Sequence, residues 1–405
     1  GNWSVTVPAT AVGALGEAHY TVTANVTDSV GNSASASHDV LVDSSLPVVT
    51  INTLAGDNIV NAAEVAAGQT LTGKVTHAAP GDTVTIILGG QTYTATVQDD
   101  LTWSLPLSES QFTALGNGDL TLSASVTNAH GNTGSSSLDF TIDAQLPGLR
   151  IDTVAGDDVI NIIEHGQNLI VSGSSTDLVA GSTVTVTING SNYFATVLAD
   201  GTWKAAIPAA DVSQWAEGAL DIKASAQDTS GNPVNIGTVV DVDLAPVAIT
   251  ISSVTEDNVL NAAEKGQDLL LSGTTSNVEA GQTVTITFAG KTWTTTVDAN
   301  GDWTYTVPAA DLSGLKDGDA SVQVNVTNAN GNAASSAQEF SVDTTAPTVS
   351  INTISNDNML NAAEAGQDLT LSGSTTAEAG QTVTVSFNGK QYTAQVQADG
   401  SWTLN

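Results

Sequence analysis

Residues 183–207 read TVTVTINGSNYFATVLADGTWKAAI, three strand-like runs separated by two turns. Val, Ile and Thr alternate with polar residues at a spacing of two, the pattern of a half-buried β-strand. Asn189-Gly190 suits a tight type I′ turn, because both central positions of that turn need a left-handed backbone. Ala199-Asp200-Gly201 is expected to do the same before the next strand, as are Asn388-Gly389 and Ala398-Asp399-Gly400 further on. Working outward through 147–245, GLRIDTV, QNLIVSG, STVTVTI, NYFATVL, TWKAAIP, ALDIKASA and NIGTVVDV read as seven short strands. Helical periodicity is confined to segments such as PAADVSQW and SESQFTAL, each about one turn long.

The unit then repeats. Trp3, Trp103, Trp203, Trp303 and Trp402 share one phase, slipping by a single residue at the last. Asp43, Asp143, Asp243 and Asp343 each close a strand-like segment and are followed by Pro47, Pro147, Pro246 and Pro347. Gly31-Asn32, Gly131-Asn132, Gly231-Asn232 and Gly331-Asn332 keep the same phase. A spacing of about 100 residues exceeds any solenoid repeat and matches a whole domain. The expected fold is therefore all-β, a tandem array of seven-stranded immunoglobulin-like Greek-key sandwiches. Boundaries are expected at the Asp-to-Pro linkers. Residues 1–46 would be the C-terminal part of one repeat with its last three strands; 47–146, 147–245 and 246–346 would be complete repeats; 347–405 would be the N-terminal part of another. With no Cys pair to bridge the sheets, the core must be apolar throughout, and the periodic Trp is expected to plug it. Half a sandwich cannot bury its own core. The partial repeats are thus expected either to continue into a longer array or to complement one another head to tail between chains.

Composition narrows the function. The chain has 405 residues, 42 Asp+Glu against 8 Lys+Arg, a net charge of -34, one Met and no Cys. Nucleic acid and anionic membranes are excluded as partners, since both require clustered basic residues. No apolar run approaches the roughly 20 residues that span a bilayer, and GNWSVTVPAT does not read as a signal peptide. The absence of Cys removes disulfides, thiolate metal sites and cysteine nucleophiles together, and fits an exported chain. A hydrophobic content of 40% is that of a folded protein, so the excess negative charge calls for a cation.

The carboxylates recur in phase. GDNIVNAAE at 56–64, GDDVINIIE at 156–164, EDNVLNAAE at 256–264 and NDNMLNAAE at 356–364 follow the first strand of each unit. In strand order this loop shares an end with the linker Asp and with the loop before the last strand of the following unit. A metal junction would gather Asp57, Asn58 and Glu64 with Asp143, and the later copies Asp157, Asp158, Glu164, Asp243, Asp257, Asn258, Glu264, Asp343, Asp357 and Glu364. Asp228 and Asn328 would come from the last-hairpin loops. Such a set of carboxylates and amides suits calcium, which takes six to eight oxygens in flexible geometry. Magnesium, which keeps its waters, suits it less. The plainer alternative is that Asp57 caps a turn, Asn61 and Glu64 bond the loop backbone, and Asp143 belongs to the linker.

Together the Asp-to-Pro linker, the D-[DN]-x-[VIM]-[VIL]-N-x-x-E motif, D-G-x-W in the central hairpin and T-[DN]-x-x-G-N in the last resemble the bacterial immunoglobulin-like repeats of giant non-fimbrial surface adhesins. The nearest types are biofilm-associated (Bap or BapA-like) proteins and SiiE-like adhesins. The resemblance spans the chain. It implies type I secretion, an extracellular place on a Gram-negative cell surface, calcium-stiffened rods, and roles in cell adhesion and biofilm formation. Asn128 and Asn328 depart from it by replacing Asp, and VAAGQ adds two residues to repeat 47–146.

No catalytic constellation accompanies these features. His19, His38, His77, His130 and His165 are out of phase, and there is no G-x-S-x-G elbow or phosphate-cradling loop. An enzyme is not expected. The competing reading is a ligand-binding or self-associating module with cell-surface glycans as partners. Only Trp215 stands outside the periodic aromatic series, since Trp293 takes the place of Tyr93, Tyr193 and Tyr392. The expected partners are neighbouring repeats, further copies of the chain, or glycans.

Overall fold

A computed structural model of the chain describes residues 1–405. With 51% strand and 9% helix, it is all-β with tandem Ig-like domains. The chain opens with a helical turn α1 (Ala9–Val12) and an antiparallel pair, β1 (Ala18–Thr27) and β2 (Ser33–Val42). There follow β3 (Val48–Ile51), β4 (Ile59–Asn61), α2 (Ala62–Ala67), β5 (Gln69–Thr76), β6 (Thr83–Leu88) and β7 (Gln91–Thr96). Next come β8 (Thr102–Leu107), α3 (Glu109–Leu115), β9 (Gly118–Thr127) and β10 (Thr133–Asp143). One sheet runs β3-β5-β8 and the other β4-β10-β9-β6-β7. The same two sheets recur through 148–243 and 248–343. By contacts the chain divides into two compact units, Gly1–Ile160 with Glu164–Val242, and Asn161–Ile163 with Asp243–Asn405.

Each full repeat has eight strands rather than seven. The extra one, Ile59–Asn61, lies inside the motif expected to be a loop, and pairs in parallel with β10. Three residues flanked by acids and amides carry too short an alternation to announce a strand; the free edge of β10 recruits them. Residues 1–7 also differ from expectation. Their counterparts in the full repeat, Thr102–Leu107, pair with Gln69–Thr76. Residues 1–46 hold no counterpart of that partner, and 1–7 form no strand. Trp3 accordingly is 74% exposed, whereas Trp203 is fully buried.

The periodic Trp is the core plug. Trp103, Trp203, Trp303 and Trp402 are all buried, each against a glycine of the facing strand. A Cβ on Gly173 would collide with the Arg150 carbonyl and the Trp203 ring, which explains why the strand facing each buried Trp reads S-G or T-G at this point. Around Trp103 pack Val60, Leu71, Ile86, Leu88, Phe112, Leu122 and Ile142.

The first turn of 183–207 forms as expected, with Asn189 at φ 49° and Gly190 at φ 79°. The second does not: Gly201 N–H donates to Leu198 O at 3.0 Å and Leu198 N–H to Thr202 O at 2.8 Å, with Gly201 at φ 80°. A three-residue loop of this kind needs a left-handed backbone only at its last position. The two extra residues of VAAGQ lengthen a helix: α2 has six residues where Ala262–Lys265 has four.

Candidate functional site

The acidic motif folds into two separate devices. Its first half is a turn. Asp57 Oδ1 accepts from Ile59 N–H at 2.9 Å, and Asn58 Oδ1 from Leu54 N–H at 2.9 Å. Asp157 and Asp158 bond Val159 and Val154 in the same way, Asp257 and Asn258 bond Val259 and Val254, and Asp357 and Asn358 bond Met359 and Ile354. Asn58, Asp158, Asn258 and Asn358 all sit at φ between 59° and 67°. That left-handed backbone is why the position holds only Asn or Asp, which tolerate it through local side-chain hydrogen bonds.

The second half is a helix cap. Asn61 Oδ1 accepts from the N–H groups of Ala63 and Glu64, while Glu64 Oε2 accepts from Asn61 N–H at 3.0 Å, a reciprocal capping box. Asn261 with Glu264 and Asn361 with Glu364 repeat it, and Glu164 opens a single 3-10 turn, Glu164–Gly166.

Register separates Asp57 from the linker. Ile59 lies opposite Thr141 and Asn61 opposite Asp143. Asp57 therefore falls beside Asp119 and Asp139, lining a surface hollow with them. Asp139 is four residues from Asp143, roughly 13 Å along an extended strand. Glu64, bonded to Asn61, stays at the Asp143 end. No three His, Asp or Glu side chains of the chain form a group that could hold a metal as they stand.

What gathers at the linker is a hydrogen-bonded latch. Asp143 Oδ1 accepts from Gln145 N–H at 3.2 Å and shapes its own turn. Its Oδ2 accepts from Ser230 Oγ at 2.6 Å, and its main-chain carbonyl from Asn232 Nδ2 at 2.9 Å. Asn232, 1% exposed, accepts in turn at Oδ1 from Ala62 N–H at 2.8 Å. Asp228 holds the loop, accepting from Ser230 N–H, Asn232 N–H and Asn232 Nδ2. Gly231 comes close enough that a Cβ would lie 3.3 Å from Asn61 Nδ2. With Gly231 at φ 89°, a backbone that glycine adopts freely, the loop can approach Asn61 this closely.

The second unit contains the same arrangement. Asn332 Nδ2 donates to Asp243 O at 3.1 Å and Asn332 Oδ1 accepts from Ile162 N–H at 2.8 Å. Asp243 Oδ2 accepts from Asn330 at 2.7 Å and from Asn328 at 3.4 Å. The Asn330 amide is the main reason the Asp243 carboxyl is held below its ordinary value, with burial opposing. Asn132 Nδ2 donates to Asp43 O at 3.0 Å. Asp343 Oδ1 accepts from Thr345 N–H at 3.1 Å. The three Asn residues are absent from the ligand set expected from sequence, although their fixed Gly-Asn phase was the available signal. Trp215, the aromatic expected to mark a glycan surface, is 5% exposed and belongs to the core, with His165 Nε2 2.9 Å from its carbonyl.

Residues 238–344 match the family model for the bacterial Ig-like domain, and residues 301–397 the model for the bacterial Ig-like domain of group 3. This is a chain of bacterial Ig-like domains. Its repeats are similar to those of a Ca2+-stabilised adhesin that helps an Antarctic bacterium reach out and bind ice: 34% identity, 89% of this chain and 91% of that one covered, TM-score 0.38. They are similar also to a structure from a 1.5-MDa bacterial ice-binding adhesin, with 32% identity, 75% and 100% coverage, and a TM-score of 0.39. A tetra-tandem repeat from the extending region of a large adhesion protein shares 29% identity over 88% of this chain and 90% of that one, TM-score 0.33. No curated protein matches these bacterial Ig-like repeats.

Proposed function

We propose that these bacterial Ig-like repeats form a stretch of the stalk of a large surface adhesin of the biofilm-associated or SiiE-like kind. Each linker is stiffened by calcium, and the stalk holds an adhesive part away from the cell. The domains are those bounded by the linkers, 47–146, 147–245 and 246–346, flanked by the partial repeats 1–46 and 347–405. The observation that carries the reading is the recurrence of one construction at Asp43, Asp143 and Asp243: one carboxylate oxygen shapes the linker and the carbonyl accepts from a fixed Asn of the next repeat. A tether built for flexibility has no use for such a bond. The Ca2+-stabilised adhesin with 34% identity supports the cation, and the two other adhesin repeats support the stalk.

The donors at Asp143 fit calcium in kind. Asp143 and Asp228 are two half-buried carboxylates that meet at Ser230, whose hydroxyl donates to Asp143 and whose backbone N–H donates to Asp228. The carboxylates and the hydroxyl are oxygen donors, the hard ligands calcium prefers. Asp143 and Asp228 would hold the ion, and Asp243 would do so in the second unit, where Asn328 replaces the second carboxylate and weakens the site. When bound, the ion neutralises the facing charges and adds stability by mass action, about 2.7 kcal/mol at a hundredfold excess over its dissociation constant. Asp57, Glu64 and their counterparts serve instead as turn and helix caps that shape the surface the next repeat meets. Export to the cell surface and a part in biofilm formation follow from the stalk reading.

Small-angle scattering of the chain in millimolar calcium and in EDTA tests this. Calcium is expected to raise the maximum dimension and narrow the shape distribution, and Asp143→Ala is expected to reduce that response with both sandwiches still folded. Identical profiles with and without calcium would overturn the calcium reading.

A further inference from the structure

The parallel pair of β4 and β10 is completed by a side chain from the following repeat. Ile59, Val60 and Asn61 lie opposite Thr141, Ile142 and Asp143, and Thr141 N–H donates to Asn58 O at 2.9 Å. Rungs of a parallel ladder are evenly spaced, so the next groups to face each other are Ala62 N–H and Asp143 O. Both bond Asn232 instead. Ala62 N–H donates to its Oδ1 at 2.8 Å, and its Nδ2 donates to Asp143 O at 2.9 Å. The amide thus stands in the ladder as its last rung. Asn332 takes the same place between Ile162 N–H and Asp243 O. Both amides are 1% exposed. Asn132 bonds Asp43 O where residues 1–46 hold no counterpart of Ala62, and it is only half-buried.

So short a strand needs its partners. Residues 347–405 hold no counterpart of β10, and there 359–361 form no strand. Leu360 is 47% exposed, whereas Val60, Ile160 and Leu260 are fully buried. Three residues offer few bonds against the entropy of fixing them, so one added rung is a large share of what holds them.

We infer that β4 belongs energetically to two repeats. Its own repeat supplies the strand and the edge it pairs with; the next repeat supplies the rung that keeps the pair closed. Local opening of 56–64, which uncovers Val60, is then governed by the repeat that carries Asn232. A folded neighbour protects the end of the repeat before it, and the array resists piecemeal opening through nearest-neighbour terms. The coupling needs no ion and stands apart from the calcium reading.

Backbone hydrogen exchange of the full chain in EDTA, read by mass spectrometry, tests this. Asn232→Ala is expected to speed exchange in 56–64 about five- to thirtyfold, the factor carried by one buried hydrogen-bonded group. Residues 156–164 should keep the parent rate. Asn332→Ala should do the reverse. Ala62→Pro removes the rung from the receiving side and leaves the loop around Asn232 unsubstituted. Asn61 is extended at φ -80° and ψ 176°, and Ala62 opens helix α2, both of which suit proline. This variant should speed exchange in 59–61 and 141–143 as Asn232→Ala does, with strand content retained. Parent rates there in Ala62→Pro overturn the coupling. So does an Asn232→Ala effect confined to its own hairpin, 218–243. Failure here leaves the stalk and its calcium untouched, because neither enters the measurement.

Discussion

Asn232 donates its side-chain amide to the main-chain carbonyl of Asp143 at 2.9 Å, across 89 residues of sequence. The same side chain accepts from Ala62 N–H, 170 residues away, so a single buried amide satisfies two backbone groups that belong to the preceding repeat. Buried polar groups that lose a partner cost more than the bond contributed. The protein's own hydrogen bonds therefore favour one linker conformation, on which any stiffening by a bound ion would build.

Asn232→Ala is expected to leave Ala62 N–H and Asp143 O unpaired, at a cost of about 1–3 kcal/mol for each group that water does not reach. Strand content by circular dichroism should be retained. Proteolytic cleavage between residues 143 and 147 should become markedly faster than in the parent chain, and an unchanged cleavage rate would show that the latch does not hold the linker.

Gly173→Ala is expected to destabilise its repeat by about 1–3 kcal/mol or more, because the new methyl overpacks against the Arg150 carbonyl and the Trp203 ring. Denaturant unfolding followed by Trp fluorescence reads this directly. Gly166→Ala, where a Cβ meets nothing within 4 Å, is the control.

Ala289 sits at φ 51° in the hairpin position that Asn189 and Asn388 fill in other repeats. A left-handed backbone costs an alanine about 1 kcal/mol that asparagine or glycine largely avoids. Ala289→Asn should raise the thermal midpoint of the repeat, with no change in scattering profile. A lowered midpoint would mean that the turn tolerates alanine for a reason of packing.

Acid should act on Asp243. Its carboxyl is held below the ordinary value of 3.8, chiefly by Asn330, so folding favours the ionised form. The stabilisation is fully present above the ordinary value and is lost as pH falls through the lower folded value. Several other carboxylates shift the same way, among them Asp28, Asp200 and Asp317, so the difference between variants is the quantity to read. The thermal midpoint of the parent chain minus that of Asp243→Asn should be constant between pH 7 and pH 5 and shrink below about pH 4. A difference independent of pH would remove Asp243 from the acid response.

The sequence by itself determined seven of the eight strands of each full repeat, the four buried Trp plugs and the repeat itself. Alternation at two residues, a fixed Trp phase and Asn-Gly turns are local signals, and the backbone obeys them wherever a core forms. It also left open the capping roles that Asn61 and Glu64 take, since N-x-x-E names a capping box as readily as a ligand pair. Only the tertiary structure decided where the acidic residues go. Three residues, Ile59–Asn61, pair in parallel with β10, and that register carries Asp57 to Asp119 and Asp139 and leaves Asp143 to the loop around Ser230 and Asn232. Ile59–Asn61 are too short to announce that pairing on their own. The choice is made by the free edge of a strand more than seventy residues later, and by a neighbouring repeat whose amide completes the linker's hydrogen bonds.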